Sequence, residues 1–215
     1  MPGGAEKFSL TDMTSAFDIL RVSLGGPIFD VEKLDWLNGR YLREEFSDEE
    51  FASRYLQWAN KDDRVGRIVP LVQPRVEKFS DVIGLSAQFF DGLVSIDAAR
   101  FEHKNLSVEQ SIKILQFSLW RLEDLQTWSR EQIEETLLDL AEQMDLKIRD
   151  FLFPVFISIS GSAVSTSVMD SLSILGLDLS RARLRHAIAV LGGVSKKLSK
   201  SLEKEYRAFD NRAAE

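Results

Sequence analysis

Few side chains in this chain are spaced for bond-making chemistry. Only two histidines occur, His103 in a polar stretch and His186 in a basic one. A metal cluster or a Ser-His-Asp arrangement therefore has little to draw on. Cysteine is absent, which removes disulfides and thiolate metal ligands. The run SISGSAVSTS, Ser158 to Ser167, is rich in hydroxyls but lacks a Gly-x-Ser-x-Gly elbow. Its serines read instead as turn and cap residues ahead of a helix striped by Val168, Leu172 and Leu175. No Gly-rich loop ends in Lys-Ser or Lys-Thr, so no phosphate cradle is expected. The string KLSKS, Lys197 to Ser201, mimics a lysine loop that holds the triphosphate of ATP. Such a loop needs a nucleotide-binding α/β fold and a His-x-Gly-His partner, and neither is expected here. No catalytic residue, metal ligand or cofactor site is assigned to the chain itself.

What remains is binding chemistry. The net charge of −7 argues against a non-specific nucleic-acid coat, yet the charge is uneven. Arg121 to Asp150 holds nine acidic and four basic residues, whereas Arg181 to Arg207 holds eight basic and two acidic. The second stretch reads either as a cationic face that steers a polyanion or as an ordinary solvated helix surface.

Helices must position any such surface. A chain of 215 residues, 44% hydrophobic, buries a real core. Gly25-Gly26-Pro27 forms a turn that stops any preceding helix, and Asp30 caps the next one, along which Val31, Leu34, Leu37 and Tyr41 or Leu42 recur on one face. Gly39 inside that helix costs about 1 kcal/mol relative to alanine, so tight packing or the close approach of another group must offset it. Ser47 with Glu50, Ser107 with Gln110 and Ser129 with Gln132 spell capping boxes, each ahead of an apolar stripe. Ser180 is expected to cap a helix carrying Leu184, Ala187, Ile188 and Leu191, with Gly192-Gly193 as its left-handed stop. FLFPVFISIS, Phe151 to Ser160, has strand-like alternation but no partner strand, so a buried helix is favoured. It is also far short of the ~20 residues a membrane helix needs. No secretory leader is expected at the polar start MPGGAEKF, and a cytoplasmic setting follows. The fold class is all-α, with polar seams near Ser47 and Lys104.

The stretch VSLGGPIFDVEKLDWLNGRYLRE, Val22 to Glu44, closely resembles the segment that follows the catalytic domain of bacterial glutamyl-tRNA synthetases. There a Gly-Gly-Pro or Ser-Pro turn precedes Phe-Asp, Glu-Lys-Leu, a Trp-Asn-Gly element and a Tyr-Arg ending. EKFSLTDMTSAFDILR just upstream, VQPRVEKFSDV from Val72, and SGSAVSTSVMDSLSILGLDLSRARLRHAIAVLGG are similar to other parts of the same family. The likeness is strongest at the start and patchy from about Leu85 to Asp150.

The resemblance implies the helical bundle or cage of the anticodon-binding type. It implies the end of a stem-contact region over residues 1–45, a first helical anticodon-binding subdomain over 46–103 and a second over 104–215. It also implies a C-terminal fragment that binds glutamate tRNA, with glutamine tRNA as a second candidate, as a monomer and without membrane contact. The parent would attach glutamate using ATP and magnesium in a catalytic domain joined in cis. Carried over residue by residue, Arg75 matches the Pro-Arg arginine that contacts an anticodon base and helps separate glutamate tRNA from glutamine tRNA. Ser165 and Val168 match the loop facing the anticodon. Phe156 departs from the family, since many relatives place an arginine there; an aromatic at that position either stacks on a base or fills the core. Arg40 and Arg43, on the helix begun at Asp30, are candidates for tRNA phosphate contact at the stem, with exposed salt bridges as the alternative. A helical scaffold that binds protein and ignores tRNA is the competing reading, and a self-sufficient enzyme a third.

Overall fold

A computed structural model of the chain describes residues 9–21, 25–26, 30–162 and 166–213, with side chains to residue 209. Ser165 and Pro27 of the Gly-Gly-Pro turn lie outside the described residues. Among the described residues the structure is helical, with no strand and one isolated bridge between His103 and Leu106. The helices are α1 (Leu10–Ala16), α2 (Val31–Glu44), α3 (Asp48–Ala59), α4 (Arg64–Val72), α5 (Phe79–Ser86), α6 (Val108–Glu123), α7 (Arg130–Gln143), α8 (Ile148–Ser160), α9 (Val168–Val190) and α10 (Lys196–Ala213). No described helix is long and apolar enough to cross a membrane. The chain divides into two compact units, Met1–Trp58 and Ala59–Glu215.

In the first unit, α2 starts where Asp30 accepts the amide of Lys33 at 2.9 Å. Ser47 and Glu50 close their capping box with reciprocal bonds of 3.2 and 3.1 Å at the start of α3. None of α1, α2 or α3 carries a buried residue, and Val31, Leu34, Phe51, Tyr55 and Trp58 all remain substantially exposed. The apolar stripes exist as read, but among the described residues of this unit they are not buried.

The second unit holds the core. Ser107 caps α6 with a complete capping box, and Ile112, Leu115 and Leu119 are buried along it. Ser129 accepts the Gln132 amide at 3.2 Å at the start of α7, whose Ile133, Leu137 and Ala141 are buried too. α8 confirms the helical reading of FLFPVFISIS: Phe151, Val155, Ile157 and Ile159 are at most 1% exposed. Pro154 is accommodated inside that helix, and its carbonyl accepts the Ser158 hydroxyl at 2.7 Å. α6, α8 and α9 pack on one another around these side chains, and α10 adds Leu198, Leu202, Tyr206 and Phe209 along one face. Phe117 meets Tyr206 and Phe209 edge to face at 5.2 and 5.8 Å. A smaller cluster of Ile68, Val72 and Phe89 seats α4 and the turn after α5 against Ile174 and Leu175 of α9.

Two expectations require correction. Ser180 does not cap a helix. α9 begins at Val168, capped by Ser167, and runs to Val190 with one kink at Gly176 (φ 79°, ψ 168°). Ser180 lies fully buried beyond that kink. The stop at the far end is as expected: the amides of Gly193 and Gly192 reach the carbonyls of Ile188 and Ala189 at 2.8 and 3.1 Å, a Schellman closure with positive φ at both glycines. The basic stretch from Arg181 is not one cationic face either. Arg183 is wholly buried, Arg185 pairs with Glu123 at 2.7 Å, and Lys113 pairs with Glu205 of α10. Lysine and arginine at helical spacing point around the whole helix, so a local charge count does not report a surface.

Candidate nucleic-acid interface

Arg75 sits where the chain leaves α4. Ile68 and Val72 are 3% and 2% exposed and fix the helix on the small core, and the next residues form a tight 3-10 turn, Gln73–Arg75. Pro74 fixes its own φ within this turn. Arg75 is the turn's last residue and is exposed, and the chain becomes extended immediately after it at Val76. Asp81 then closes the entry to α5 by accepting the amides of Glu77 and Lys78 at 3.1 and 3.2 Å. A helix seated on the small core thus leads into an exposed bend that carries Arg75, whose guanidinium is a planar fork of donors.

α4 and the turn after it carry basic but no acidic side chains, among exposed apolar ones such as Val65 and Val69. From Arg64 to Arg75 there are three arginines and no acidic residue. Arg67 donates to the carbonyl and hydroxyl oxygens of Ser173 at 2.8 and 3.0 Å, and Trp128 Nε1 donates to the Leu172 carbonyl at 3.0 Å. Both acceptors lie in the turn before the Gly176 kink.

The ends of the segment containing Ser165 are held by named contacts. On one side, Gly161 takes φ +68° and its carbonyl accepts Arg100 Nη1 at 2.6 Å. A β-carbon there would stand 3.1 Å from Val94 Cβ. On the other side, Thr166 is 2% exposed and accepts the Gln88 side-chain amide at 2.9 Å, while sharing a bond of 2.9 Å with Ser171. Val168 is 8% exposed and belongs to the main core. Phe156 is half-buried and packs against the same core, which favours the filling role for this aromatic.

In the first unit, Arg40 makes a two-pronged pair with Glu44 at 2.9 and 3.0 Å and lies over the Trp36 ring at 5.2 Å. The ion-pair alternative is therefore realised for Arg40. Arg43 is exposed; a β-carbon at 39 would stand 2.9 Å from its Nη1, the far end of a flexible side chain that can move aside, so this contact does not explain the glycine. His103 is structural, with Nδ1 accepting the Asn105 amide at 3.3 Å, Nε2 lying 3.6 Å from Asp150 and the ring 4.6 Å from Phe153. KLSKS falls on α10, where the Ser199 hydroxyl donates to Glu203 at 2.9 Å, and is not a loop.

One central residue escapes a reading by composition. Arg183 has no exposed surface, and its guanidinium donates to four main-chain carbonyls: Gly92 at 2.8 Å, Gln88 and Asp91 at 2.7 Å, and Ile159. Burial lowers its pKa to about 10, partly countered by the Asp91 charge, so it stays protonated at neutral pH. The signal is present in the spacing, because 183 falls three residues after Ser180 and four before Ala187, on the buried stripe of α9.

Comparison with known proteins matches residues 50–188 to the anticodon binding domain family. The chain is 53% identical over 207 residues to glutamate–tRNA ligase of Alcanivorax borkumensis, covering 96% of this chain and 42% of that protein. It is 50% identical to glutamate–tRNA ligase of Psychrobacter cryohalolentis, covering 95% and 40%. It also resembles the crystal structure of a glutamate tRNA ligase from Elizabethkingia meningosepticum in complex with its amino acid, with a TM-score of 0.54 and 25% identity over 86% of this chain and 37% of that one. The chain spans about two fifths of the length of the curated relatives it matches. A family match across most of its length, on an all-helical framework, places this chain in the anticodon binding domain family.

Proposed function

We propose that the chain is the tRNA-reading part of a glutamate–tRNA ligase, with Arg75 as its principal base-contacting residue. The observation that carries this reading is Arg75 itself, an exposed residue on a proline-stiffened turn that follows a helix seated by Ile68 and Val72, in a chain matched to anticodon binding domains. Unpaired anticodon bases are splayed outward and are read on their edges by side chains offered from such bends. Thr166, Gln88, Arg100 and Arg183 hold the framework around the second segment, where Ser165 is assigned to the tRNA surface. Val168 contributes to that segment through packing, and Phe156 through its half-buried ring. Residues 1–45 would serve as the end of a stem-contact region, with Arg43 the better placed of the two α2 arginines for phosphate, and 46–103 and 104–215 as successive anticodon-binding subdomains.

Activation of glutamate with ATP and magnesium is assigned to the remaining part of the parent ligase, joined in cis. Among the described residues no three His, Cys, Asp or Glu side chains stand together as a metal site. The partner is glutamate tRNA, with glutamine tRNA as the near-cognate competitor, and the chain acts as a monomer in the cytoplasm. The test is titration of the chain with purified tRNAs at several salt concentrations. Selective, salt-sensitive binding of glutamate tRNA supports the reading; equal binding of all tRNAs, or none, overturns it.

A further inference from the structure

Between α4 and the kink of α9, wholly within the second unit, lies an open groove of about 570 Å3. Lys61, Arg64 and Arg67 line one wall, and Ser173 to Asp178 line the other. Its cationic side chains stand on or just before the element that ends in Arg75. Arg64 and Arg67 are three residues apart on α4, about one turn of helix, and the turn Gln73–Arg75 follows the same helix directly. At 1.5 Å per residue α4 is about 13 Å long, roughly the span of two phosphodiester repeats of an extended strand. The opposite wall leaves room for a backbone to approach: at Gly176 the space above the kink is open, with no atom within 4 Å of a β-carbon built there.

The three cations are not equivalent. Arg67 is held by Ser173 and shapes the wall, Lys61 is an exposed lining residue, and Arg64 is a half-buried one whose guanidinium lies about 5.9 Å from the Phe90 ring centre. Two carboxylates share the lining. Asp178 is paired with Arg181 at 3.1 Å and has a side chain 92% exposed, while Asp62 lies on the 3-10 turn before α4.

We infer that this groove receives the phosphodiester backbone of the RNA strand whose base Arg75 reads, with Lys61 and Arg64 as the phosphate-contacting residues. The inference rests on the tRNA-reading function proposed above and adds to it a second surface, distinct from the base reader in what it recognises. Phosphate contacts fix register and carry no sequence information, whereas a base-edge contact does. The two surfaces therefore respond differently to substitution. Removing a cation that neutralises one phosphate of a single strand makes the slope of log K against log salt shallower by about 0.7.

The experiment compares the intact 215-residue chain with Lys61→Gln/Arg64→Gln, using glutamate tRNA and an anticodon-altered transcript across a salt series. The expected result is a slope shallower by about 1.4 for both RNAs, with the ratio of their affinities unchanged. Arg67 is left intact to keep the α4–α9 tie, and the single variant Lys61→Gln, expected to flatten the slope by about 0.7, decides the matter if the double variant loses its helical signal. Lys196→Ala/Lys197→Ala, on a different helix, controls for a general loss of positive charge. An unchanged slope in a folded variant overturns the groove assignment while the tRNA-reading function stands. A drop no larger than that of the control pair, or a change in the affinity ratio, also overturns it. Failure of the unaltered chain to bind tRNA overturns the function itself, and the groove assignment with it.

Discussion

Arg67 donates from Nη2 to the carbonyl oxygen of Ser173 at 2.8 Å, joining residues 106 positions apart and tying α4 to the turn of α9 that precedes its kink. Through it the element that carries Arg75 is registered against the longest helix of the chain. Replacing Arg67 by Met keeps the aliphatic stem and removes two hydrogen bonds. The expected cost is about 1–2 kcal/mol in urea unfolding, modest because the contact is solvent-exposed. A loss below a few tenths would mean that the small Ile68–Val72–Phe89 core alone seats α4.

Arg183 should be far more sensitive. Its fork satisfies carbonyls from the 88–92 turn and from the end of α8, with no exposed surface. Arg183→Met leaves these acceptors buried and unpaired, at an expected cost of about 3–5 kcal/mol. Arg183→Lys should recover only part of this, because one ammonium cannot match a planar fork that reaches four carbonyls. Equal stability of the lysine variant and the unaltered chain, measured by denaturant midpoint, would contradict the geometry.

Gly161 and Gly176 both have positive φ, but for different local reasons. At Gly161 a β-carbon meets Val94 and the Ser95 carbonyl at 3.1 and 3.2 Å; at Gly176 the space is open and only the backbone angles (φ 79°, ψ 168°) resist a side chain. Gly176→Ala is expected to cost about 1–3 kcal/mol from backbone strain alone. Gly161→Ala should cost at least as much, since crowding adds to strain. Thermal midpoints of the two variants test this, and a stabilised Gly176→Ala would mean that α9 straightens.

These positions also mark what the sequence makes legible. α6 and α7 are readable because cap chemistry and apolar spacing coincide at Ser107 and Ser129, so local and tertiary preferences agree. Asp30 and α2 are readable from cap chemistry and stripe spacing alone, since none of the α2 side chains is buried. The first half of α9 is read from its stripe at Val168, Leu172 and Leu175, but the break before its second half is placed at Ser180 rather than at Gly176, because a serine ahead of an apolar stripe has the signature of a cap. The kink falls at a glycine, which takes positive φ without strain, and the carbonyls of Leu172 and Ser173 just before it accept from Trp128 and Arg67, contacts that no local pattern reveals. Arg183 is obscured by its neighbours: in the run RARLR, charge suggests solvent while the stripe spacing places the middle arginine inside. Of the proposed binding residues, Arg75 is legible only through resemblance, and its place on a 3-10 turn is visible only in three dimensions.

The central claim is that Arg75 reads a base. The direct measurement is the ratio of affinities for glutamate and glutamine tRNAs, taken with the unaltered chain and with Arg75→Ala under identical salt. The account predicts a loss of about 1–3 kcal/mol toward glutamate tRNA, a factor of roughly 5 to 150, with a smaller loss toward glutamine tRNA, so that the ratio falls. Parallel weakening of both tRNAs with the ratio unmoved would contradict it and reduce Arg75 to a phosphate contact or a surface ion pair.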